Sequence, residues 1–133
     1  MNITRLRSTQ GRFDAPVEMN WSAEVFDRLV SSDDGRQARP VLFRLGVSGP
    51  GAWGDVDAIA FAMPADLSAE QICDLLSGDL AAESSYDMMR SHLDGLFGTL
   101  GADVRVPISS PKIEISVLRD DEPEPPAAQP DRA

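Results

Sequence analysis

The chain has 133 residues, of which 42% are hydrophobic, and carries a net charge of −10 at pH 7. This length fits a single domain, and so negative a chain is expected to repel nucleic acid and anionic membranes. No apolar run approaches the ~20 residues that a membrane-spanning helix needs. The N-terminus lacks the apolar core of a secretion signal. The single cysteine cannot form a disulfide within the chain, which predicts a cytoplasmic location.

The first third of the chain predicts two strands with a helix between them. Residues 2–8 predict a short edge strand, although their apolar positions do not alternate. Residues 22–31 predict a helix capped by Ser22, on which the preceding Trp21 would pack as a hydrophobic staple. Its apolar stripe would consist of Val25, Phe26, Leu29 and Val30. Residues 41–47 alternate between apolar and mixed side chains, which predicts a strand with one buried face.

Residues 56–63 repeat this alternation and predict the next strand, joined to the previous one by a glycine-rich hairpin loop at residues 48–54. One face of the strand carries small side chains, which favours close packing against a helix. Trp53 would lie on the exposed loop, either as a binding anchor or folded back as a lid over the helices. The loop matches G-x-G-x-x-G, but a strand follows it where a dinucleotide site requires a helix, so we assign it no phosphate-binding role.

A second helix is predicted over residues 68–77. Ser68 and Gln71 have the spacing of a capping box, and Gly78 would end the helix. Its inward-facing side chains would be Ile72, Cys73, Leu75 and Leu76.

A third predicted helix has the most regular apolar periodicity of the chain. It would begin at Ser84 or Ser85 and end before Gly101. Its stripe would consist of Tyr86, Met89, Leu93, Leu96 or Phe97, and Leu100. Gly95 and Gly98 each weaken the helix by about 1 kcal/mol relative to alanine, but they leave a smooth strip where another backbone could pack. This Gly95/Gly98 strip is therefore a candidate contact in an oligomer.

The end of the chain predicts two strands and a tail. Residues 104–108 and 113–117 would form an antiparallel hairpin around the turn residues 109–111. Residues 120–133 hold four prolines and no large apolar residue, which predicts a disordered acidic tail. Residues 1–119 are thus expected to form one α+β domain. We predict a mostly antiparallel sheet of four to five strands with three helices packed on one face.

The acidic residues concentrate in the middle of the chain. Residues 47–104 hold ten acidic residues and one basic residue, Arg90, a net charge of −9. We predict that the second and third helices present an acidic face that binds a basic protein partner, with Trp53 as an anchor. The residues assigned to partner binding are Trp53, Glu70, Asp74, Asp79, Glu83, Asp87 and Asp94. The seven arginines of the first 46 residues could instead lie against these acids and weaken the field outside.

Few residues suggest a catalytic or metal-binding role. Asp55 and Asp57 lie on one side of a predicted strand and a hard cation could bridge them, but no third acid is fixed nearby, so a solvated strand end is preferred. His92 has no orienting acid that the sequence specifies. Cys73 lies on an apolar helix face among acidic neighbours, which would raise its pKa. We predict no enzymatic activity, no catalytic or metal-binding residue and no cofactor.

The sequence therefore predicts a small acidic protein-binding module of the inhibitor, immunity or chaperone type, which engages a basic protein. The preference for arginine over lysine suggests a bacterial or phage genome. The alternative is a structural or assembly subunit of a phage or secretion particle, in which the Gly95/Gly98 strip would contact neighbouring subunits.

Overall fold

The computed structural model describes residues 1–10, 16–62, 66–78, 80–101 and 104–119. These residues form an α+β fold, as predicted, with one mixed sheet and two helices. The strands are β1 (Asn2–Gln10), β2 (Glu18–Phe26), β3 (Val30–Ser31), β4 (Gln37–Gly49), β5 (Ala52–Ala62) and β6 (Glu114–Leu118). The helices are α1 (Ala69–Gly78) and α2 (Leu80–Thr99). Three helices were predicted, and the described residues contain two, neither of them long and apolar enough to cross a membrane.

The strands follow the order β1-β5-β4-β2-β6 across the sheet, and β3 pairs with β4 off this path. The pairs β1–β5, β5–β4 and β4–β2 are antiparallel, whereas β6 runs parallel to β2. The predicted first strand is therefore confirmed. It lies at one edge of the sheet and shifts its register between Ile3 and Arg5.

The predicted helix over residues 22–31 is wrong, because residues 18–26 form β2. Trp21, Ala23 and Val25 are buried and alternate with more exposed side chains, which is the period of a strand. β2 pairs with β4 on one side and with β6 on the other. Two hydrogen-bonded neighbours and a buried face outweigh the helical spacing that the sequence also contains. Trp21 consequently packs in the core and is not a helix staple.

The central hairpin is confirmed and is tighter than predicted. β4 ends at Gly49 and β5 begins at Ala52, so only Pro50 and Gly51 form the turn. Gly51 has a φ of 86°, a conformation that favours glycine. Trp53 therefore lies within β5 and not on a loop.

Both helices pack against one face of the sheet, and the closest approach is at Gly54 of β5. A Cβ atom on Gly54 would lie 2.7 Å from Leu93 Cδ1 and 3.2 Å from Phe97 Cε1, both on α2. Val56 and Ala58 follow on the same face and are fully buried. The small side chains on this face of β5 thus admit a helix, as the sequence predicted.

The opposite face carries the other half of each strand, and no helix of the described residues covers it. We call it the helix-free face. From β5 it includes Trp53, Asp55, Asp57, Ile59 and Phe61, which alternate with the buried positions. The register places Arg5 opposite Asp57, Arg7 opposite Asp55, and Arg44 opposite Asp57 from the other side.

The capping box that begins α1 is confirmed. The Gln71 amide donates to Ser68 Oγ at 3.1 Å, and the Ser68 amide donates to Gln71 Oε1 at 2.8 Å. Ile72 and Leu76 are buried, as predicted. Leu75 is 51% exposed, so the prediction that it faces inward is wrong.

α2 begins at Leu80, earlier than predicted, and Gly101 follows its end with a φ of 70°. The predicted stripe is largely confirmed: its fully buried members are Tyr86, Met89, Leu93 and Phe97. Leu100 is 45% exposed because it lies beyond the last turn of the helix. The stripe faces β5 and β1, which makes α2 the main cover of the core.

The predicted hairpin over residues 104–117 is wrong. Residues 104–113 form neither helix nor strand, and β6 pairs in parallel with β2. Pro107 lies in the first of the two predicted strands and lacks the amide hydrogen that a ladder requires, which explains why that strand is not formed. The predicted tail, residues 120–133, lies outside the described residues.

Candidate functional site

Two adjoining cavities lie between the first half of α2 and residues 107–113. One has a volume of about 390 Å³ and reaches the end of α1 at Leu76. The other has a volume of about 320 Å³ and lies beside Tyr86. Both are lined by Glu83 and Ser110, so they form one depression. We call it the acidic groove and define it by Trp21, Glu83, Tyr86, Asp87, Ile108 and Lys112.

The floor of the acidic groove is aromatic and rigid. The Trp21 ring stacks on Phe43 with centroids 5.5 Å apart and an interplanar angle of 17°. Tyr86 meets Trp21 edge-on, also at 5.5 Å. Trp21 and Tyr86 are 4% and 1% exposed, so they support the groove from inside the core. Such packed aromatic pairs restrict each other's rotamers and hold the floor in one shape.

Two hydrogen bonds with α2 hold the chain at Val106 and Pro107, where the wall formed by residues 107–113 begins. The Tyr86 hydroxyl donates to the Pro107 carbonyl at 2.6 Å, and the Val106 amide donates to Asp94 Oδ1 at 2.9 Å. Burial raises the pKa of Tyr86, against the opposing effect of Arg90, so its hydroxyl stays protonated and able to donate. α2 therefore positions the irregular segment that closes the groove.

The opposite wall carries the negative charge. Glu83 and Asp87 are both exposed, and within the described part of the chain Glu83 forms no ion pair. The nearest base to Asp87 is Arg90, with 3.9 Å between Arg90 Nε and Asp87 Oδ1. Across the groove, Ile108 is 78% exposed. The groove thus offers two carboxylates beside a large apolar side chain, and Lys112 is the cation among its defining residues.

Other acids of the predicted binding face are engaged within the fold. Glu70 Oε1 accepts a hydrogen bond from Arg119 Nη2 at 2.7 Å, and this bond lowers the pKa of Glu70. Asp94 accepts the amide of residue 106 and pairs with Arg90 Nη1 at 3.6 Å. Asp74 is exposed on α1, and Asp79 lies outside the described residues. Of the assigned carboxylates that the structure describes, only Glu83 and Asp87 lie in the groove.

Trp53 lies apart from the helical acids, because the sheet separates them. Its ring is on the helix-free face, where the Arg7 guanidinium carbon lies 5.3 Å from the ring centroid. A cation at this distance is attracted to the indole face. Trp53 is therefore neither on an exposed loop nor folded back over the helices, the two positions that the sequence suggested for it. Trp53 cannot join Glu83 and Asp87 in one contact surface.

Arginines compensate Asp55 and Asp57 on the helix-free face. Arg7 binds both carboxylate oxygens of Asp55, with Nε–Oδ1 and Nη2–Oδ2 distances of 3.0 and 2.9 Å. Arg5 Nη2 lies 3.0 Å from Asp57 Oδ2, and Arg44 Nε lies 3.9 Å from Asp57 Oδ1. Burial raises the pKa of Asp57 despite these cations, because only 8% of the residue is exposed. The acidic middle is therefore partly neutralised by the N-terminal arginines.

The remaining chemistry-bearing side chains stand apart from one another. Among the described residues, no group of three His, Cys, Asp or Glu side chains is placed to hold a metal ion. His92 is exposed on α2. Cys73 is half-buried on α1, and burial together with Glu70 and Asp74 raises its pKa, which disfavours the nucleophilic thiolate.

The sequence did not reveal the groove because the prediction of a hairpin hid its second wall. Tyr86 was assigned only to the core, whereas its hydroxyl anchors that wall. Ile108 was assigned to a strand face, whereas it is the most exposed large apolar side chain of the described residues. Two prolines within residues 104–117, the predicted hairpin, were the available signal of an irregular segment.

Comparison with known proteins adds no functional information. The chain matches no protein-family model, and neither the curated proteins nor the solved structures gave a significant match.

Proposed function

We propose that the protein is a non-enzymatic protein-binding module whose acidic groove receives a basic segment of a partner. The observation that carries the proposal is the position of Glu83 and Asp87 on one wall of the groove, opposite the exposed Ile108. A partner segment with alternating cationic and apolar side chains fits both features. An inhibitor, an immunity protein or a chaperone could each use such a site.

Charge and apolar burial would contribute differently to binding at this site. The carboxylates would attract the basic segment and speed the encounter, which is the main effect of exposed charge on binding. Ile108 and the cavity above Trp21 would take apolar side chains, whose removal from water stabilises the complex by about 25 cal/mol per Å². The described residues include fourteen acidic and ten basic side chains, and the whole chain has a net charge of −10, so the field of the whole protein also favours a basic partner.

A peptide of alternating lysine and leucine should bind the acidic groove. With Trp53 replaced by phenylalanine, Trp21 is the sole tryptophan, and its position on the groove floor makes its fluorescence a reporter of binding. The double variant Glu83→Gln/Asp87→Asn should weaken binding about tenfold and flatten its salt dependence, because the carboxylates supply the attraction.

The matched control removes two charges outside the groove. Asp33→Asn/Asp66→Asn changes the net charge equally at exposed residues that do not line the groove, and binding should remain within about twofold of the parent. A peptide of alternating glutamate and leucine should not bind. Equal binding of the acidic and basic peptides, or equal losses in both double variants, would contradict the proposal.

The alternative, an assembly subunit, depends on the Gly95/Gly98 strip. Both glycines are exposed on α2, and a Cβ atom on either would meet nothing within 4 Å. If the strip faces solvent, Gly95→Ala/Gly98→Ala should raise the free energy of unfolding by about 1 kcal/mol per site in urea titrations, because alanine favours the helix. If subunits pack on the strip, the methyl groups would weaken an oligomer seen by light scattering.

A further inference from the structure

The helix-free face has a composition unusual for a face in contact with water. An exposed sheet face is normally polar, yet Trp53, Ile59 and Phe61 share the outer row of β5, and Phe61 is 51% exposed. Leu42 of β4 lies opposite Ile59 in the ladder and extends the apolar area. This surface lies on the other side of the sheet from the acidic groove.

Charge on this face is distributed unevenly between its two halves. The half built from β1, β5 and β4 presents three guanidiniums, those of Arg5, Arg7 and Arg44, each 41% to 55% exposed. The carboxylates beneath them, Asp55 and Asp57, are only 21% and 12% exposed. Cations therefore form the outer layer of this half, which has a net charge of +1.

The other half, built from β2 and β6, is negative. The register places Glu18, Glu24 and Glu114 on the helix-free face, because they pair with Ser48, Leu42 and Ser22. Within the described residues these three glutamates form no ion pair. β1 and β2 are three strand spacings apart, about 14 Å, so the positive and negative halves are distinct.

We propose that the helix-free face binds the same face of a second copy of this chain. A surface with one positive and one negative half is self-complementary under a two-fold axis, provided that the axis exchanges the halves. An axis in the interface plane, parallel to the strands and between β5 and β4, does so. It lays β1 over β2 of the second copy and β5 over its β4, with the two sheets packed face to face.

This arrangement brings cations to Glu18 and Glu24, which form no ion pair among the described residues of one chain. Arg5 and Arg7 meet the glutamates of β2 in the second copy, and Arg44 approaches the second Asp57. An axis perpendicular to the strands would instead place like charges together, which costs several kcal/mol. The apolar row of β5 would be removed from water against the second β4. The inference is independent of the proposed function, since the acidic groove stays exposed.

The test is the oligomeric state of the full chain by sedimentation velocity and light scattering over a wide concentration range. We expect a dimer that dissociates on dilution and at high salt. The variant Glu18→Arg/Glu24→Arg places four guanidiniums opposite one another and should raise the dissociation constant about a hundredfold or more. Asp66→Arg/Asp74→Arg makes the same change of net charge off this face and should leave the dimer intact.

Circular dichroism establishes that each variant is folded, and Phe61→Glu serves as a second face variant with the same expected loss of the dimer. A monomer at every concentration for the unmodified chain would overturn the proposal. So would a dimer that survives both face variants, or one that the off-face control disrupts equally. Dimer loss confined to the face variants would support it.

Discussion

Replacing Gly54 by alanine should lower the free energy of unfolding by about 1 to 3 kcal/mol. The new Cβ atom would lie 2.7 Å from Leu93 Cδ1, 3.0 Å from the Arg7 carbonyl oxygen and 3.2 Å from Phe97 Cε1. Leu93 and Phe97 are fully buried and cannot swing aside, and the backbone of β1 cannot yield without disturbing its ladder. Urea titration followed by circular dichroism measures the loss.

The matched control is Gly46→Ala in the neighbouring strand. There the nearest atom to the new Cβ would be Asn20 Cβ, at 4.0 Å, so this variant should be neutral or slightly stabilised. Adding Leu93→Ala should shrink the penalty at residue 54, because it removes the closest contact. Equal stability of the two alanine variants, or a penalty unchanged by Leu93→Ala, would mean that α2 does not rest on Gly54 as described.

Apolar periodicity correctly predicted the strands and the helix that each bury one face against the core. The alternation in residues 41–47 and 56–63 predicted β4 and β5, and the threefold and fourfold spacing from Tyr86 to Phe97 predicted α2. These segments each have one buried face, so the spacing of their apolar residues matches the period of the strand or helix that they form. The small face of β5 even predicted the helix that covers it.

The errors occurred where a distant segment decides the local structure. Residues 22–26 carry both helical and alternating spacings, and pairing with β4 and β6 selects the strand. The final strand joins β2 in parallel across the fold, which no local hairpin signal can indicate. Tertiary pairing, and not the local preference of the chain, fixes both outcomes.

The candidate site was predictable only in part for a similar reason. The sequence showed that acids concentrate between residues 47 and 104, but not which of them meet a cation in the fold. The register of β1, β4 and β5 places Arg5, Arg7 and Arg44 beside Asp55 and Asp57. Arg119, which follows β6, forms an ion pair with Glu70 on α1. These pairings leave Glu83 and Asp87 as the carboxylates of the groove, which is a more specific prediction than an acidic face.

Replacing Arg39 by methionine should lower the free energy of unfolding by about 3 to 5 kcal/mol. Arg39 is only 8% exposed, and its guanidinium donates to the carbonyls of Phe26, Asp27 and Leu67. It thereby ties the end of β2 to the segment that leads into α1. Methionine fills much of the same space but leaves these part-buried carbonyls without their donor, and a hydrogen bond made by a charged group contributes about 1.5 to 3 kcal/mol.

Arg36→Met is the control, because Arg36 lies close to Arg39 in sequence and its side chain pairs, among the described residues, only with Asp34 across an exposed turn. This variant should lower the free energy of unfolding by less than about 0.5 kcal/mol. Arg39→Lys should fall between the two, since an ammonium keeps the charge but cannot span three carbonyls on two segments. Hydrogen exchange adds a local readout: in Arg39→Met the amides of α1 should lose protection before those of β4 and β5. Equal losses for the two methionine variants would show that the buried guanidinium does not join β2 to α1.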